Sequence, residues 1–132
     1  MGRDGETVDH DTFTAAVRRL LASDQETADR AIRATLSTLG ERVGADEGRA
    51  LVARVPASIA PLLYAVGPAI SFDAEEFVDR VARLEDVDRN TAELHATAVL
   101  AVLTQAIDDQ EYDRLLGRLP ADYHRLLRPG RR

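Results

Sequence analysis

The chain has 132 residues, the size of one domain, and its 45% apolar and 30% charged residues are enough to bury a core. It contains no Cys and no Lys, which excludes disulfides, thiolate nucleophiles, Cys-based zinc sites, Walker-type phosphate loops and Schiff-base amines. The net charge of −6 is spread over both halves, so non-specific contact with nucleic acid or anionic lipid is disfavoured.

Taken in chain order, residues 1–6 hold no apolar stretch, so no secretory signal is expected. Glu6 stands where a myristoylation site needs Ser or Thr. Phe13, Ala16, Val17, Leu20 and Leu21 then form one apolar stripe at helical spacing. A second helix is expected to start at Ser23–Asp24 and to run through Ala28, Ile32, Leu36, Leu39 and Val43. Gly44 is placed to stop it as a left-handed cap. A third helix spans about 46–54 and ends before Pro56, and a short apolar turn carries Ile59, Leu62 and Leu63. Residues 65–72, with Gly67 and Pro68, make a connection of ordinary length.

The pattern then repeats. Shifting the sequence by 64 overlays residues 13–63 on residues 77–127 without a gap, with 17 identities in 51 positions. They include Phe13/Phe77, Leu20/Leu84, Asp24/Asp88, Glu47/Glu111, Arg54/Arg118 and Pro56/Pro120. Apolar, capping and proline positions all keep one register, the mark of a duplicated supersecondary unit. The second copy reads as a capped helix from Asp73 and Glu76 through Phe77, Val81 and Leu84. Its second helix runs from Asp88 to Ile107, its third over 110–118, and a final turn carries Tyr123, Leu126 and Leu127. A repeat of about 60 residues alone is marginal. The expected architecture is therefore all-α: one globule, one domain over 1–132, built from repeat 1 (9–64) and repeat 2 (73–127). These are similar helical units, about six longer helices in all with a short turn closing each unit, related by a pseudo-two-fold and followed by a basic tail at 128–132.

The copies differ in their second helices. The first carries Asp29, Arg30, Arg33, Glu41 and Arg42, whereas the other has no charge from Leu94 to Ile107. That helix should be the most buried; the alternative is that its extra apolar face meets a partner chain. It falls below the ~20 apolar residues needed to span a bilayer, so a cytoplasmic protein with no membrane contact is expected.

The blocks Phe77–Leu84, His95–Leu103 and Leu119–Leu127, with the weaker Val55–Leu63, resemble the family known as domain of unknown function 2267. The resemblance covers about 9–127. It implies a duplicated helical layout and carries no catalytic residue. Val55 replaces the more usual Leu before Pro56, and Ala96 and Thr97 stand where a small residue and Arg are common after His95.

Three positions are candidates for function. His95, on the central helix, reads as a proton acceptor or metal ligand, or as a core-edge His bonded to a carbonyl or carboxylate. His10 and His124 offer it no ligand spacing. Arg54 and Arg118 read as paired anion clamps or as caps on helix-end carbonyls. Asp86, Asp88 and Asn90 open like a calcium loop, but Thr91 and Thr97 occupy the positions that need Gly and Glu. Asp88 is better explained as a cap. The acidic cluster Asp108, Asp109, Glu111 and Asp113 reads as solvated carboxylates at a helix start, and Arg125, Arg128, Arg131 and Arg132 as a frayed basic terminus.

No catalytic residue, cofactor or metal is therefore assigned. The expected role is a non-enzymatic protein-interaction or regulatory module, with a protein partner or self-association. The alternatives are a small-molecule binder with a pocket between the repeats, lined by the central helix and His95, and a carboxylate- or His-dependent enzyme. The absence of Lys with Asp exceeding Glu fits either salt adaptation or codon bias.

Overall fold

The computed structural model describes residues 10–64 and 67–127. The readings made of residues 1–9 and of the tail 128–132 lie outside it. The described residues are helical, without a strand. The helices are α1 (His10–Leu21), α2 (Gln25–Val52), α3 (Ala74–Glu85), α4 (Arg89–Ala106), α5 (Asp109–Gly117) and α6 (His124–Leu127). Single 3-10 turns occupy Ala60–Leu63 and Ala121–Tyr123. No described helix is long and apolar enough to cross a membrane.

Aspartates start four of the helices, as the sequence suggests for three of them. The Asp24, Asp73, Asp88 and Asp108 carboxylates accept from the amides of Thr27, Glu76, Thr91 and Glu111, at 2.9, 2.9, 2.7 and 2.8 Å. The Thr27 and Thr91 amides hold the Asp24 and Asp88 carboxyls below the usual carboxylate range. The chain turns from α1 into α2 through Ala22 at φ 52° and from α3 into α4 through Asp86 at φ 60°. These two left-handed residues are 64 apart.

The expected stop at Gly44 is a break rather than an end. Gly44 adopts φ 84°, ψ 176° and helix resumes on its far side, so the expected second and third helices of repeat 1 are one broken α2. The Ala45 amide donates to the Gly67 carbonyl, and the Ile70 amide to the Glu41 carbonyl, each at 3.0 Å, so the connection lies across the break. Gly40 and Gly48, one turn to either side, let α2 approach the Leu63 backbone. An added Cβ would stand 2.8 and 2.6 Å from the Leu63 carbonyl oxygen.

The buried apolar residues of both halves form one cluster, from Phe13 and Ile32 to Phe77, Leu103 and Tyr123. α4 packs on α1, α2, α3 and α6, while α2 packs on α1, α3, α4 and the first 3-10 turn. Ten of the 18 residues of α4 are buried, and 15 of the 28 of α2, so the two helices share the centre. Part of the extra apolar face of α4 is open: Ala98, Ala101 and Val102 are buried, but Leu94 is 66% exposed. Leu20 and Leu84, expected on core stripes, are also corrected to exposed, at 58% and 62%. Each sits in the last turn of its helix, on the rim of a groove instead of over the core.

Candidate functional site

His95 Nδ1 lies 2.7 Å from Glu85 Oε1, and both residues are buried. The hydrogen bond ties the end of α3 to α4 and fixes the orientation of the imidazole. Glu85 occupies the register of Leu21 in the first copy, and that polar residue in an apolar position was the signal available for its role. Glu85 Oε2 is buried without a hydrogen-bond partner. Among the described residues no group of three His, Cys, Asp or Glu could hold a metal ion.

Arg54 and Arg118 meet carboxylates of the opposite half instead of helix-end carbonyls. Arg54 Nε donates to Glu111 Oε1 at 3.0 Å, with a guanidinium nitrogen 3.7 Å from Asp108 Oδ2. Arg118 Nε is 3.1 Å from Glu47 Oε1. Glu47 and Glu111 are both buried. Burial raises the Glu47 carboxyl above its ordinary value, opposed by the charge of Arg118 and then of Arg114.

Arg118→Ala leaves that buried carboxylate with only the weaker attraction of Arg114. The expected loss at neutral pH is roughly 1–2 kcal/mol, less than for a fully enclosed pair because the Arg118 side chain is 49% exposed. A raised native pKa means that native Glu47 keeps its proton to higher pH than unfolded Glu47. Its contribution is therefore full below the unfolded value of about 4.5 and is lost as pH rises through the native value. Urea titrations of wild type and variant should converge towards acid pH; an equal gap at acid and neutral pH would refute the assignment.

The sequence reading missed a third cluster. Arg42, grouped there with the charged face of α2, is 6% exposed. Its Nε donates to the Phe72 carbonyl at 2.8 Å, and its guanidinium lies 5.8 and 5.4 Å from the Phe72 and Tyr123 ring centroids. The Tyr123 hydroxyl donates to the Phe72 and Asp73 carbonyls at 2.7 and 3.2 Å. Burial pushes this phenol up to about 12. Asp122 accepts from the Ala74 amide at 3.0 Å. The start of α3 is thus clasped by α2 on one side and by the C-terminal turn on the other. Phe72 precedes the overlaid register, and only the spatial approach of 42, 72 and 123 reveals the cluster.

A groove of about 650 Å³ opens between the end of α1 and α4. Leu20 and Leu94 stand exposed in its walls, and Thr97, Ala98 and Ala101 form its floor. His95 does not line it. A smaller groove of about 340 Å³ carries Leu84, Arg30, Arg33, Ala34 and Ser37. These residues are the 64-residue counterparts of Leu20, Leu94, Thr97, Ala98 and Ala101. These matched positions are therefore uncharged on α4 and cationic on α2.

Among curated proteins none matches the chain. The sequence profile of the family described as "Uncharacterized conserved protein (DUF2267)" matches residues 10–126, nearly all of the chain, and the protein therefore belongs to that family.

Proposed function

We propose that the protein is a non-enzymatic interaction module: two related helical halves about an approximate two-fold, sharing one core and offering the α1/α4 groove to an uncharged helix face of a protein partner. The reciprocal pairs support the two-fold. Arg54 reaches Glu111 while its counterpart Arg118 reaches Glu47, the counterpart of Glu111, so each half gives the other the same residues. The observation that carries the interaction reading is the groove itself. Leu94, which opens a stretch of α4 without charge, and Leu20 of α1 stay exposed in it, and Glu93 is the charged residue of its lining, in a chain of net charge −6. The titratable pair His95–Glu85 is turned inward, between α3 and α4, away from that concavity.

A photo-crosslinking residue at position 94, tested in the source cells, should give an adduct whose linked peptide maps to an apolar helix face of a protein. The same residue at Tyr64, exposed elsewhere, should not. The volume of the groove also falls within the range of small-molecule sites. Adducts to small molecules alone, or none at position 94, would overturn the interaction reading.

A further inference from the structure

We infer that the helix seated in the α1/α4 groove is α4 of a second copy of this chain, in an antiparallel two-fold contact. The inference rests on the interaction reading and names its partner. The exposed edge of α4 and the groove floor carry Asn90, Leu94, Thr97, Ala98, Ala101 and Gln105 on one face of the helix. A two-fold axis passing between Thr97 and Ala98 sets this stripe against itself. Asn90 then meets Gln105, Leu94 meets Ala101, and Thr97 meets Ala98, and each pairing occurs twice, as an isologous contact requires. An exposed leucine faces an alanine hollow at both places, and an amide faces an amide at both ends, where each can donate and accept.

Electrostatics supports the same occupant. Two copies of net charge −6 repel over most of their surfaces, but this stripe carries no ionisable group. Glu93, which lines the groove next to the stripe, has its charge met by Arg125 at 3.3 Å. The antiparallel setting also places the positive N-terminal end of each α4 beside the negative C-terminal end of the other. Small residues at the crossing let the helix axes approach closely. The stripe is roughly 22 Å long and the contact about two helices wide, so it covers on the order of 450 Å² per protomer. That is the weak, concentration-dependent class of interface.

Sedimentation equilibrium of the purified chain should show the mass rising from one to two copies with concentration. Leu94→Glu should weaken the dimer by at least about tenfold with unchanged helix content, because Leu94 is exposed in the monomer. The register is tested by Asn90 and Gln105, both exposed. N90D/Q105D places like charges opposite each other and should weaken association about tenfold, whereas N90D/Q105R should restore or tighten it. A chain that stays monomeric at every concentration, or a dimer indifferent to these changes, overturns the self-pairing. An adduct from position 94 to a different protein would then leave the interaction reading standing, and its absence would remove both.

Discussion

Gly44→Ala should cost about 3 kcal/mol or more, the largest effect expected of any single methyl group added to this protein. Two independent penalties meet there. At φ 84°, ψ 176° the backbone occupies a region that is essentially glycine-only, which alone costs a residue with a Cβ roughly 1–3 kcal/mol. That Cβ would also lie 2.5 Å from the Ala69 amide nitrogen and 2.9 Å from its Cα. Both atoms are backbone, so no side-chain rotation relieves the clash. The connection would have to leave α2, giving up the bonds from Ala45 to Gly67 and from Ile70 to Glu41. Gly117→Ala is the control, since an added Cβ there meets nothing within 4 Å, and it should be neutral or slightly stabilising. Denaturant titration with hydrogen exchange at Ile70 provides the measurement. A Gly44→Ala protein within 1 kcal/mol of wild type would show that the break does not hold the connection in place.

Tyr123 carries the other large effect. Its ring is 1% exposed and meets Phe77 edge-on at 5.8 Å, so Tyr123→Ala should cost roughly 3–5 kcal/mol. Tyr123→Phe keeps the ring and loses the hydroxyl bonds to Phe72 and Asp73, for about 1–2 kcal/mol. The conservative variant also isolates a pH effect. The phenol titrates at the ordinary 10 when unfolded and at about 12 in the native protein. Below pH 10 both states hold the proton and stability is independent of this group. Between 10 and 12 the unfolded chain releases the proton while the native protein retains it, so stability falls as pH rises, by up to about 1.4 kcal/mol per unit. The chain has no Lys and no Cys to titrate alongside it. Urea titrations on both sides of pH 10, read with phenolate absorbance, should give a falling curve for wild type and a flatter one for Tyr123→Phe. Parallel curves would contradict the assignment.

The candidate site was only partly legible in the sequence. His95, Arg54 and Arg118 stood out as isolated polar residues on apolar or punctuated positions. Their pairings did not, because Glu85 lies ten residues from His95 across a helix hairpin, and Glu111, read as a solvated carboxylate, lies 57 from Arg54. Arg42 could not be told from its exposed neighbours, because its environment is made by Phe72 and Tyr123, which arrive from other parts of the chain. Leu20 and Leu84 mark the converse case. Helical spacing puts them on the apolar stripe, but whether another helix covers the last turn of a stripe is a matter of packing.

The local signals of this chain determine its helices, three of their aspartate caps and the interruption at Gly44, though not that helix resumes beyond it, because hydrophobic period, capping chemistry and backbone freedom act within a few residues. Tertiary structure alone decided which charges are buried, which carboxylate meets which arginine, and that the uncharged face of α4 is partly open along a groove. Those outcomes depend on how distant segments approach one another, and periodicity along one helix carries no information about what lies opposite it.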